Sequence, residues 1–132
     1  MIGALVVTHG NLGQELVAAA EMIVGEILHI RAVSIGWHDD VNDAHDDIER
    51  RISEVENGKG VLILTDMFGG TPSNIALSFH NPGKVDIVTG VNLPMIIKIA
   101  GQKEEDTLDS LSRIVRDKGR SSIAMASDFL GA

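Results

Sequence analysis

Apolar residues along this chain fall into short unbroken runs, separated by stretches in which they recur every three or four positions. That alternation predicts strands and helices in turn. Ile2 to Thr8 is continuously apolar after Gly3, the pattern of a strand buried on both faces. From Leu12 to Val24, the residues Leu16, Ala19, Ala20, Ile23 and Val24 recur at helical spacing, and Gly25 supplies a stop. Ile27 to Ile35 predicts a second strand, ending before Gly36. The WHDD run that follows carries aspartates suited to capping a helix that reaches about Glu56. Val41, Ala44, Ile48, Ile52 and Val55 line one face of it, while Asp46, Asp47, Glu49, Arg50 and Arg51 fall mostly on the solvated side. Asn57 and Gly58 close it.

Val61 to Thr65, VLILT, is the most apolar of the predicted strands and ends on Asp66. In the MFGGTPSN segment beyond it, Thr71 before Pro72 is the arrangement of an N-cap followed by the first helical residue, predicting a short helix to about Phe79. After an HNPGK turn, Val85 to Thr89 gives a fourth strand, and GVNLPMIIKIA a loop that enters another helix at Asn92 or Leu93. Asp106 to Lys118 is an amphipathic helix built on Leu108, Leu111, Ile114 and Val115 and ended by Gly119. The tail SSIAMASDFLGA predicts a last short strand near Ile123 to Ala126. No repeat, low-complexity segment or linker interrupts the pattern, so residues 1–132 are expected to form a single domain. Four strands alternating with helices predict an α/β fold: a central, mainly parallel sheet with helices on both faces. Loops at the carboxyl ends of the strands carry the ligand site in that architecture, and His9 and Asp66 both stand at such ends.

Composition narrows the function classes. Apolar residues make up 44% of the 132, with three Phe, one Trp and no Tyr, so the core must be built from Val, Ile, Leu, Ala and Met. The net charge is -8, from 19 acidic and 11 basic side chains, and neither end carries a basic cluster. Nucleic acid and anionic membrane, which are attracted by positive potential, are not the expected partners. The absence of cysteine excludes disulfides, thiolate metal sites and thiol catalysis. The start MIGALVVTHG lacks the basic segment of a signal peptide, and no apolar run approaches the roughly 18 to 20 residues of a membrane span. The expected location is the cytoplasm.

Three features carry candidate chemistry. His9 ends an apolar strand and is followed by Gly10, which leaves the imidazole approachable; near neutral pH that ring is a competent nucleophile. Asp66, at the end of the most apolar strand, must be hydrogen-bonded or paired to offset its desolvation; it either caps the loop that follows or holds one nitrogen of His9, and the shared sheet edge favours the second. Gly69 and Gly70 let the backbone turn N–H groups toward a ligand, the following helix points its positive end at the same spot, and the Thr71 hydroxyl offers a further hydrogen bond. An imidazole, an orienting carboxylate and an anion-binding turn together suit phosphoryl transfer to and from histidine. No Walker-type run is present, so a nucleotide donor is not required. Met67 and Phe68 beside the site suit docking of a protein partner if exposed and ordinary packing if buried. His38 and His45 have acidic neighbours but no metal-binding pattern; His29 is placed in a strand and His80 in a turn, and neither cofactor nor metal is expected. Trp37, at a loop start, lines the site or caps the core.

The stretches VVTHG, LILTDMFGGTPSN and TGVNLPM resemble, in the right order and over nearly the whole chain, the signature segments of the mannose-family IIA domains of the bacterial phosphoenolpyruvate-dependent sugar phosphotransferase system. The resemblance implies a phosphocarrier. The histidine-containing phosphocarrier protein would donate a phosphoryl group to His9, and a IIB protein would receive it for a sugar entering through membrane IIC and IID components. It further implies that Asp66 orients His9, that Thr71 stands near the phosphoryl oxygens, and that the chain forms a homodimer exchanging its last short strand, here SSIAMA. Because the chain stops at Ala132 without a linker and IIB domain, the acceptor is expected to be a separate protein. The Met67-Phe68 pair stands where some relatives place a tryptophan.

Other readings remain at this point. The phosphotransferase subunit of dihydroxyacetone kinase shares the N-terminal histidine, but DMFGGTPSN argues against its shorter loop. A sirohydrochlorin-type chelatase also presents a strand-end histidine, but leaves Asp66 and GGTP unused. A regulatory module phosphorylated on His9 without serving transport fits the same residues.

Overall fold

The computed structural model of the chain describes residues 1–36 and 39–131. Its elements follow in the order β1 (Gly3–His9), α1 (Leu12–Val24), β2 (Ile30–Ile35), α2 (Val41–Val55), β3 (Val61–Thr65), α3 (Thr71–Leu77), β4 (Val85–Thr89), α4 (Leu93–Ala100), α5 (Leu108–Ser121) and α6 (Ala126–Phe129). The four strands form one sheet in the order β2-β1-β3-β4, and each adjacent pair is parallel. The two innermost strands are the two that read as apolar throughout, because only they have both faces and both edges covered.

Alternation along β1 divides the core. Ala4 and Val6, with Leu62 and Leu64 of β3, pack against Ala20, Met95, Ile96, Ile99, Leu111 and Val115 from α1, α4 and α5. Leu5 and Val7, with Ile63, pack on the other face against Ala44, Ile48, Ile75 and Ala76 from α2 and α3. Helices therefore cover both faces, as the sequence pattern requires. Asp40 caps α2, its side chain accepting from the N–H groups of Asn42 and Asp43.

Three boundaries depart from the sequence reading. The second strand starts at Ile30 rather than Ile27, since its pairing with β1 begins at Ala4 opposite Ile30, while the Ile27 N–H is taken by the Glu21 carboxylate. His29 therefore precedes the strand instead of lying in it. The α5 helix starts at Leu108, capped by Thr107, and runs through Gly119. Gly119 lies against Met95, where a Cβ would stand 2.5 Å from the sulfur, so it marks close helix packing and not a stop. The strand predicted at Ile123 to Ala126 does not form: Ala126–Phe129 is a one-turn helix with no buried residue. A strand exists only through hydrogen bonds to a neighbouring strand, and this segment pairs with none among the described residues, leaving Ile123, Met125, Phe129 and Leu130 exposed.

Candidate functional site

The parallel register brings the ends of all four strands to one edge, with His9 opposite Ile35 and Val7 opposite Thr65. His9 is the last residue of β1 and Asp66 the first beyond β3, so the two meet although 57 residues apart in sequence. Asp66 Oδ2 accepts from the His9 backbone N–H at 2.9 Å and lies 2.8 Å from ring atom Nδ1. Asp66 Oδ1 accepts from the Met67 N–H at 3.0 Å. Burial alone would raise the Asp66 pKa; the donors from His9, its ring charge and the Met67 N–H outweigh that and hold the carboxyl below its usual range. An ionised Asp66 can only accept, which places the proton of a neutral His9 ring on Nδ1 and leaves the Nε2 lone pair free.

Nε2 faces the turn that starts α3. Gly70 has φ +88 and packs edge-on to the ring: a Cβ there would lie 3.4 Å from His9 Cε1 and 3.6 Å from Nε2. Gly70, not Thr71, occupies the cap position, and its carbonyl accepts from the Asn74 N–H at 3.0 Å. The positive φ open to glycine turns the chain into the helix one residue earlier than the TP pair indicates, so Thr71 is already helical and exposed. Gly69 lies in the same turn. Met67 and Phe68 are 54% and 75% exposed, which removes the packing alternative for both.

Two hydroxyls missed by the sequence reading hold the turn after His9. Thr8 Oγ1 accepts from the Gly13 N–H at 2.8 Å, and Ser34 Oγ donates to the Gly10 carbonyl at 2.5 Å. The register, in which Thr8 lies opposite Ser34, was the signal that only a strand pairing could supply. No Lys or Arg occurs at positions 10–12, 36–40, 66–71 or 90–92. The loops themselves therefore offer an anion N–H and O–H groups, while Arg116 and Arg120 of α5 stand farther along the edge, beside Thr89 and Gly90.

The other histidines have different surroundings. His45 stacks on Phe79 with ring centroids 4.4 Å apart, and His80 Nε2 lies 3.8 Å from Asp86. His29 sits at the amino end of the sheet, where burial lowers its pKa; the nearby Ile99 backbone opposes this and the chain's N-terminal ammonium adds to it. Trp37 and His38 lie outside the described residues. No helix among the described residues is long and apolar enough to cross a membrane.

The sequence model of the family described as PTS system fructose IIA component matches residues 3–115. The chain is 28% identical over 131 residues to the fructose-specific EIIA component of Bacillus subtilis, covering 98% of this chain and 90% of that protein. It is 30% identical over 129 residues to the mannose-specific EIIAB component of Escherichia coli K12, covering 92% of this chain but 38% of that longer protein. Among solved structures, a PTS IIA protein associated with the fucose utilization operon of Streptococcus pneumoniae superposes with a TM-score of 0.85 at 30% identity, over 97% of this chain and 95% of that one. The EIIA component of Streptococcus agalactiae shares the fold with a TM-score of 0.87 at 24% identity, over 97% and 99% of the two chains. A family match over 113 of the 132 residues, on a fold shared nearly end to end, leaves one assignment: the chain belongs to the mannose-type IIA family of the sugar phosphotransferase system, whose members are phosphotransferases with a phosphoryl-carrier role.

Proposed function

We propose that the chain carries a phosphoryl group on His9 Nε2, taken from the histidine-containing phosphocarrier protein and passed to a IIB protein that serves sugar uptake through membrane IIC and IID components. The observation that carries this reading is the double bond-sharing of Asp66 Oδ2 with the His9 N–H and Nδ1, which fixes the ring with one nitrogen engaged and the other open. In the forward step the Nε2 lone pair attacks phosphorus, the N–P bond of the donor's phosphohistidine breaks, and the donor nitrogen recovers the electron pair. The ring, phosphorylated on Nε2 and still protonated on Nδ1, gains positive charge that the adjacent carboxylate stabilises. Transfer to the acceptor reverses these bond changes. Gly69, Gly70 and Thr71 supply N–H groups and a hydroxyl to the phosphoryl oxygens, where charge develops with little covalent help from the protein.

Exposed Met67 and Phe68 form an apolar edge beside the ring that fits docking of both protein partners. The pairing of two chains as a homodimer is supported by the exposed tail from Ile123 to Leu130 and by a hollow of about 320 Å³ along β4 and α5, to which Ile123 contributes. The names of the relatives mention fructose, mannose and fucose utilization, so no one sugar is assigned.

Incubation with phosphoenolpyruvate, enzyme I and the phosphocarrier protein, followed by intact-mass analysis, tests the reading. Wild type gains one acid-labile phosphoryl group, His9→Ala gains none, and added IIB protein discharges it. Equal labelling of wild type and His9→Ala contradicts the proposal.

A further inference from the structure

The turn after His9 is held on one side by Asp66 of the β3 end and on the other by β2, an edge strand whose role in a transfer site is otherwise indirect. Two bonds tie Gly10 to β2: the Gly10 N–H donates to the Ile35 carbonyl at 3.1 Å, and Ser34 Oγ donates to the Gly10 carbonyl at 2.5 Å. Gly10 has φ +53, and no side chain restrains the peptide plane that follows it. A glycine peptide of this kind rotates readily unless its carbonyl is held. Asn11 occupies the N-cap position of α1, yet its side chain makes no capping bond; Thr8 Oγ1 caps Gly13 instead.

A trans peptide is planar, so its C=O and N–H point in opposite directions. With the Gly10 carbonyl drawn down toward Ser34 on β2, the Asn11 N–H points away from β2. The sheet order β2-β1-β3 makes that the side on which Asp66 and the 66–70 turn flank the His9 ring. We infer that Ser34 is a positioning residue for phosphoryl transfer at His9, locking the Gly10–Asn11 peptide so that the Asn11 N–H is presented to a phosphoryl oxygen on Nε2. This rests on the phosphocarrier reading above. It deepens that reading at a site that has no Lys or Arg in its loops, where the orientation of each N–H donor carries weight. The room for error is small, because Gly70 stands within contact distance of the ring's reactive edge.

The test compares wild type, Ser34→Ala and Ser34→Thr in phosphoryl transfer from the phosphocarrier protein, with the amide NMR shift of Asn11 read before and after phosphorylation. Loss of the Oγ donor is expected to lower kcat about tenfold with KM unchanged, the size expected of a small misplacement. In wild type the Asn11 amide moves on phosphorylation, in Ser34→Ala that shift is lost, and Ser34→Thr restores both. A merely structural role would lower thermal stability without removing the phosphorylation-dependent shift. Wild-type kcat in Ser34→Ala, or an Asn11 amide that ignores phosphorylation in the wild type, overturns the inference while the phosphocarrier reading stands. Absence of phosphate on wild-type His9 with an active donor system removes both.

Discussion

Asp66 is a carboxylate with three donors on it, and two of them belong to the residue it orients. Replacing it with Asn keeps the shape, and the amide oxygen can still accept from the His9 N–H and Nδ1, but the negative charge that stabilises the phosphorylated, Nδ1-protonated ring is lost. Phosphoryl transfer to Asp66→Asn is expected to fall by roughly 10²- to 10⁴-fold, measured as initial rate from the phosphocarrier protein. A variant within threefold of wild type would deprive the carboxylate of its role. The low Asp66 pKa also has a sign: the pairing stabilises the fold above the ordinary carboxylate range near 3.9 and is lost as pH falls through the folded value. At this scale the sequence was informative where chemistry is unusual for its place. A histidine and an aspartate each ending an apolar strand announce themselves. Ser34 does not, because a serine in an edge strand reads as solvated until the register shows what lies beside it.

Helices and strands with strong periodicity were legible to within a residue or two, as for α1 and β3, because burial on a fixed face leaves a pattern that local chemistry does not blur. Errors fell where an apolar residue is buried without being in a strand, as Ile27 is, or where a glycine packs closely instead of ending a helix, as Gly119 does. Gly3 is a sharper case of close approach. A Cβ at the start of β1 would collide with the Val55 carbonyl at the end of α2, backbone that cannot swing aside. Gly3→Ala is expected to lower stability by about 1–3 kcal/mol in urea unfolding. Phosphorylation of the folded fraction stays at the wild-type rate, since the site lies at the other end of the strand. A stability equal to wild type would show that α2 is not seated as described.

Across the whole molecule, the two poles of the sheet differ in their response to pH. The pole opposite His9 holds His29, whose Nε2 is buried with no partner among the described residues. Burial favours its neutral form, with the Ile99 backbone opposing and the N-terminal ammonium assisting. The unfolded chain therefore binds a proton there first, and stability is retained above the ordinary histidine value near 6.5 and declines below it. Urea midpoints should fall between about pH 7 and about pH 5, and His29→Gln should flatten that slope; an unchanged slope would assign it to other groups. The tail is the other whole-molecule feature. Removal of residues 123–132 is expected to turn a dimer into a monomer in sedimentation equilibrium, whereas a monomeric full-length chain would contradict the homodimer. The sequence predicts a strand here because the tail is apolar, but a strand needs a neighbour to pair with, and in the single chain the segment ends in a one-turn helix.

Phosphorus-31 and nitrogen-15 NMR of the phosphorylated protein identifies both the residue and the ring atom that carry the phosphoryl group. A single phosphohistidine is expected, at Nε2 of His9, with Nδ1 still protonated toward Asp66. A phosphoryl group on Nδ1, or on His45 or His80, would contradict it.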